Sequence, residues 1–302
     1  VSSMPVRPIP AWSVPLFFVV GAVSQYVGAA IGVWLFATTE PATVAWLRAV
    51  GAALVLLAWR RPWRRPWRSR WTRRSVGTAA AFGAVTVAMN VAFYEAIARI
   101  PLGTAVAIEF TGPIAVSLLG SRRPLDYLAA ALVGTGVYLL AGVQSGVDVA
   151  GVAFAVLAAV LWAGYIVLGK RVADAGTGLD SLAVGMAVAA AVSAPVLLGA
   201  QATVDVSVLA EPRTWLWGAG IGLLSSAIPY ALDQPVLATI GRARFALLLA
   251  LLPATAAVVG AVALAQRPTA AEAAGIAAVM AALAVSARAA RGSTGDGGTI
   301  EP

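Results

Sequence analysis

Apolar residues run through this chain in long blocks separated by short polar or basic connections. Ten such blocks can be marked: 14–37, 42–59, 76–98, 102–119 and 125–141, then 149–167, 181–199, 214–234, 243–264 and 269–287. A helix needs about 20 predominantly apolar residues to cross a bilayer. In lipid, a helix also satisfies its own backbone hydrogen bonds. Each block is therefore predicted to be a membrane-spanning helix, and together they leave little chain for a soluble domain. Glycine and alanine are frequent inside the blocks, as at Gly28, Gly32, Gly134, Gly136 and the alanines from Ala277 to Ala284. Small residues let helices in lipid pack backbone to backbone.

The punctuation of the blocks repeats. At an offset near 140 residues, Ile100 matches Ile240, Pro113 matches Pro253, Gly120 matches Gly260, and Gly134 falls close to Gly275. Tyr26 and Tyr165 occupy the front of the two halves in the same way. The pattern predicts a five-helix unit at 14–141 and a second at 149–287. They are flanked by a cytoplasmic segment at 1–13 and a disordered cytoplasmic tail at 288–302. An odd number of spans per unit inverts the second copy in the membrane. Inverted repeats are a transporter architecture, with the substrate near the midplane at the repeat interface.

Composition agrees with the pattern: 60% of the 302 residues are apolar and 11% are charged, whereas a soluble domain has about 25% charged residues. A water-soluble enzyme is excluded on that ground. Cysteine and histidine are absent, which removes thiolate nucleophiles, disulfides and the commonest general base. No cofactor is expected. The net charge is +8, and the position of the basic residues gives the orientation. With the N-terminus inside, 17 of the 21 Lys and Arg fall in cytoplasmic segments and three, Arg99, Arg213 and Arg267, fall outside. Cytoplasmic loops hold the excess of basic residues, so both termini are expected in the cytoplasm. The basic block from Arg60 to Arg74 interleaves arginine with tryptophan, which suits an anionic headgroup layer. Nucleic-acid binding is disfavoured, because both ends of that loop are tied to spans. The N-terminus has no basic n-region ahead of its first apolar block, which is expected to remain as a span.

Charges and amides inside the spans are costly and mark cavities or partners. Glu109 lies in the middle of the fourth span, four residues before Pro113, which removes a helix hydrogen bond nearby. Glu109 either faces a cavity or pairs with Arg48 of the second span. Thr86, Asn90 and Tyr94 fall on one face of the third helix, with Glu95 about 100° around from Tyr94. Ser226, Tyr230 and Asp233 fall on one face of the eighth. Glu95 and Asp233 occupy corresponding places near opposite ends and are candidate gates or merely wet helix ends. Gln25, Tyr26, Trp34, Trp162 and Tyr165 add hydrogen-bonding and aromatic candidates, with packing or interface anchoring as the rival role for each aromatic.

Met89-Asn90-Val91-Ala92-Phe93-Tyr94-Glu95-Ala96, then Ile100-Pro101-Leu102-Gly103, then Ile108-Glu109-Phe110-Thr111-Gly112-Pro113 resemble the drug/metabolite transporter superfamily, EamA type. Within it, these residues are most similar to the threonine/homoserine exporter group. The resemblance covers about residues 14–287. Trp46-Leu47-Arg48, Trp162-Ala163-Gly164-Tyr165 and Ser225-Ser226-Ala227-Ile228-Pro229-Tyr230 support it. It departs at Leu252, where an acid usually precedes the second-half proline, at Gln266, where an acid is common, and at Asp233, where glutamate is usual. The resemblance implies an all-α integral membrane protein of ten transmembrane helices in two inverted five-helix repeats, in the bacterial cytoplasmic membrane. It implies export of small amino acids, driven by proton exchange. In the matching physical scheme, Glu109 alternates between a proton and the substrate ammonium, while Arg48 or Asn90 recognises the carboxylate. An exporter or flippase for another metabolite or a lipid-linked sugar is the alternative. An intramembrane enzyme would need a carboxylate pair at catalytic spacing, and a passive scaffold would not need a buried Glu109 and Arg48.

Overall fold

A computed structural model describes residues 9–61, 73–118, 124–142, 148–174 and 178–295. Most of the basic segment expected to meet lipid headgroups, residues 62–72, lies outside the described residues. Among the described residues all regular structure is helical. In chain order the helices are α1 (Val14–Leu35), α2 (Pro41–Arg60), α3 (Arg73–Ile97), α4 (Leu102–Glu109), α5 (Thr111–Leu118), α6 (Pro124–Gly142), α7 (Val149–Asp174), α8 (Gly178–Ala202), α9 (Pro212–Gly222), α10 (Ile228–Leu249), α11 (Leu252–Leu264) and α12 (Ala270–Gly295). A π turn, Leu223–Ala227, joins α9 to α10. Eight stretches are long and apolar enough to cross a membrane, and two apolar helical stretches, Leu102–Leu118 and Pro124–Leu140, are shorter.

Two helices break where proline dictates. Proline lacks the N–H that would bond to the carbonyl four residues earlier, and its ring clashes with that carbonyl. Pro113 acts on the Glu109 carbonyl and Pro253 on that of Leu249. Accordingly α4 ends at Glu109 and α10 ends at Leu249. Pro235 behaves differently. Helical turns run without interruption from Ile228 to Leu249, through the residues between 234 and 243 where the sequence pattern suggests a connection. Asp233 and Leu249 both line the central cavity, and the Thr239 hydroxyl accepts a hydrogen bond from the Ile9 N–H at 3.0 Å near the start of the chain. At the far end, α12 extends to Gly295, into the stretch expected to be disordered from residue 288. Residues 296–302 lie outside the described residues.

Glycine sets how closely the helices approach. A methyl group on Gly83 of α3 would run into the Gly185 carbonyl of α8, and one on Gly185 would meet the Ala79 carbonyl. Gly51 of α2 lies against Gly218 and Ala219 of α9 in the same way. Aromatic side chains face outward near the helix ends: Trp34, Trp215 and Trp217 at one end and Trp12 and Trp59 at the other. Indoles favour the two membrane–water interfaces. Trp34, 58% exposed, faces outward and does not line the central cavity.

The end of the bundle that carries Arg99 is tied by side chains. Ala265 adopts a left-handed conformation (φ 54°), which ends α11 and lets the Gln266 N–H reach the Gly260 carbonyl at 3.1 Å. The Gln266 Oε1 accepts a hydrogen bond from the Leu102 N–H at 3.0 Å, capping α4. Glu272 is buried in the first turn of α12 and forms a capping box with Thr269: the Thr269 N–H donates to Oε2 (2.7 Å) and the Glu272 N–H donates to the threonine hydroxyl (3.2 Å). The Thr104 hydroxyl of α4 lies 3.3 Å from the other carboxylate oxygen and donates to it.

Candidate functional site

The chemistry-bearing side chains converge on a cavity of about 180 Å³ between α1, α2, α3, α4, α7, α10 and the π turn. Gln25 and Tyr26 come from α1, Arg48 from α2, Met89, Asn90 and Phe93 from α3, and Glu109 from the end of α4. Trp162 and Tyr165 come from α7, and Ser225, Pro229 and Asp233 from the opposite side. Eight of the twelve residues proposed from sequence, Arg48 among them, therefore line one cavity.

The helix break explains how Glu109 reaches it. As the last residue of α4, Glu109 sits where the backbone turns aside at Phe110, and it remains buried at 9% exposure. Among the described residues no ion pair joins Glu109 to Arg48. The structural pairing considered from sequence is thus absent, and the carboxylate faces the cavity.

Arg48 is held from behind. Its Nη2 donates to the Ser225 carbonyl at 3.1 Å, and its guanidinium carbon lies 5.8 Å from the centre of the Tyr94 ring. The Nε is buried with no hydrogen-bond partner. A buried donor left unpaired costs about 1–3 kcal/mol, which an anionic ligand would relieve. Tyr94 is fully buried and packs against Phe36, Phe93 and Gly32. It does not line the cavity as expected but forms the wall behind Arg48.

The other aromatics are oriented by partners. The Trp162 ring meets Phe110 edge to face at 4.6 Å, and Tyr165 stacks on Phe82 at 4.8 Å. Asn90 is buried and Asp233 partly exposed. Asn90 and Glu109 are thus the buried polar members of the lining, while Arg48 and Asp233 are both partly buried.

Two candidates are displaced. Ser225, not Ser226, lines the cavity, and its hydroxyl donates to the Gln25 carbonyl at 2.9 Å. Among the described residues of this segment, Ser225, Pro229 and Asp233 line the cavity, with Ser225 inside the π turn Leu223–Ala227. The Tyr230 side chain lies outside the described residues. Glu95 is also absent from the cavity: it pairs with Arg99 at the end of α3, at 2.5 Å. Leu252, standing where an acid was noted as usual, lines the cavity with Leu249 and leaves Glu109 as its acid at that depth. Met89, Phe93 and Pro229 were not singled out from sequence, since an apolar residue in an apolar span gives no signal of its own. Among the described residues no three acidic side chains converge as a metal site.

The profile of the EamA-like transporter family matches residues 149–288. The threonine/homoserine exporter RhtA of Salmonella typhimurium is 34% identical over 271 residues, which cover 87% of each chain. The exporter of the same name from Escherichia coli is 33% identical over the same share. A solved crystal structure that is 21% identical aligns with a TM-score of 0.58 over 91% of this chain and 99% of its own, a likeness of fold.

Proposed function

Because the chain belongs to the EamA-like transporter family, within the drug/metabolite transporter superfamily, we propose that it exports small amino acids of the threonine/homoserine kind from the cytoplasm by proton antiport with alternating access. The observation that carries this reading is the placement of Arg48 and Glu109 on one small cavity without an ion pair between them. A zwitterion complements that arrangement: its carboxylate meets the guanidinium and its ammonium meets the glutamate. Arginine suits the first role because its planar fork matches a carboxylate.

In this scheme Glu109 gives up its proton as the ammonium docks and regains one after release. No cofactor enters, and the energy comes from the proton gradient. The breaks at Phe110 and Ala250 stand at matching places in two inverted five-helix units, each beside the cavity. In this reading the protein lies in the bacterial inner membrane with both termini cytoplasmic, as the distribution of basic residues favours.

Vesicles reconstituted with the protein and given an imposed pH gradient test the reading. Labelled threonine and homoserine, beside a wider amino-acid panel, should move with the gradient in wild type and not in Glu109→Gln. Movement that persists in the variant removes Glu109 from coupling. Tight vesicles holding folded protein that move no amino acid overturn the substrate class.

A further inference from the structure

A second concavity lies on the outside of the bundle, across the helix wall from the central cavity. Helices α7 and α8 both pack against α3 but meet each other only slightly. The gap between them is a groove of about 810 Å³. Its floor is a stripe of alanines at every fourth residue of α3, Ala80, Ala84, Ala88 and Ala92, and its walls include Leu157 and Val192. The groove is apolar in character, and the hydroxyl of Ser193, on its wall, is already bonded to the Ala189 carbonyl at 2.8 Å. A helix partner held by polar contacts finds none there. A hydrocarbon chain needs none.

One end of the groove carries charge of both signs. Glu95 follows Val91 by four residues and Ala92 by three, so it continues the same face of α3. Arg99 follows Glu95 by four, pairs with it, and places its guanidinium carbon 5.1 Å from the centre of the Phe154 ring, which lines the groove. Both side chains retain some exposure, 32% for Arg99 and 14% for Glu95. A cation and an anion at the mouth of a hydrocarbon-lined groove complement a headgroup with both a phosphate and an ammonium.

We propose that this face of α3, α7 and α8 binds an ethanolamine phospholipid of the surrounding bilayer, its hydrocarbon in the groove, its phosphate on Arg99 and its ammonium on Glu95. The opposite faces of α3 and α7 line the substrate cavity, so the lipid supports the wall that carries Asn90 and Trp162. The binding site does not depend on which solute is exported.

Native mass spectrometry of the purified full chain tests it, with phosphatidylethanolamine and phosphatidylglycerol of identical chains offered at equal concentration. Wild type should retain one ethanolamine lipid per chain with about fivefold preference, the scale of a partly exposed ion pair. Glu95→Gln should bring the preference to about one, whereas Arg99→Gln, which removes the partner of the phosphate common to both, should reduce retention of both lipids. Ala84→Phe, which fills the floor, should reduce retention of both lipids. Equal retention of the two lipids by wild type overturns the proposal, as does undiminished retention in a folded Ala84→Phe protein. A wild-type dimer that Ala84→Phe converts to monomers also overturns it, assigning the groove to a second copy. If Ala84→Phe does not fold, the two rim variants still decide the headgroup assignment.

Discussion

Arg48 and Glu109 face the same cavity from α2 and from the broken end of α4, and no ion pair joins them. Opposite charges in a low-dielectric site attract strongly, and here they are kept apart by the backbone. Arg48 is anchored on the Ser225 carbonyl and backed by Tyr94, while Glu109 is set by the interruption at Phe110. The separation leaves both charges available to one zwitterionic ligand.

Removal of the guanidinium should weaken substrate binding with the fold intact. Hydrogen bonds to charged groups contribute about 1.5–3 kcal/mol, so Arg48→Ala is expected to raise the threonine Kd by about 10- to 150-fold. Arg48→Lys should recover only part of this, because a single ammonium lacks the fork. Calorimetric titration of purified protein measures both, and equal affinity in Arg48→Ala and wild type would contradict the assignment.

The π turn makes a positional prediction of its own. The chain has no cysteine, so a single introduced thiol reports its position unambiguously. Ser225→Cys should react with a small maleimide, and excess threonine should protect it. Ser226→Cys should react much more slowly, without protection. The reverse order would place Ser226 and not Ser225 on the cavity.

The capping box at the start of α12 should contribute measurably to stability. Loss of a cap costs about 0.5–2 kcal/mol. Glu272→Ala is expected to lower the thermal midpoint in detergent, since it releases both Thr269 and Thr104. Glu272→Gln should retain most of the cap, because glutamine serves at this position of the box. Equal midpoints for all three proteins would show the contacts to be without consequence.

Close packing through Gly83 should tolerate no side chain. A branched residue there meets the Gly185 backbone of α8, and overpacking of this kind costs about 1–3 kcal/mol. Gly83→Val should lose thermal stability, whereas Gly77→Val on the same helix, where a Cβ meets nothing within 4 Å, should not. Parallel melting curves in one detergent separate the two positions.

The spans were legible because lipid demands uninterrupted apolar helices, and Glu109, Arg48 and Asn90 were legible because each is costly at membrane depth. The break after Glu109 followed from Pro113. The unbroken turns across Pro235 did not, since proline marks a lost hydrogen bond and not whether neighbouring turns continue. Ser225 was missed by one position, because two adjacent serines carry no signal of which one faces inward. Tyr94 and Trp34 show the limit for aromatics: the same residue type serves as buried wall and outward anchor, and only the packing of neighbouring helices distinguishes them. The Thr269–Glu272 box carried a readable signature, threonine followed three residues later by glutamate, but apolar patterning draws attention away from helix starts.

The backbone contacts of Gly83 with Gly185 and of Gly51 with Gly218 have a mechanical consequence. Helices in such contact cannot slide or tilt against each other without opening a void that nothing fills, so α3 with α8, and α2 with α9, travel as fused struts. Deformation is left to places where the hydrogen-bond ladder is already interrupted: Phe110, Ala250 and the π turn. All three border the central cavity. In the proposed transport scheme, the fulcrum and the seat of the cargo are therefore built from the same few residues.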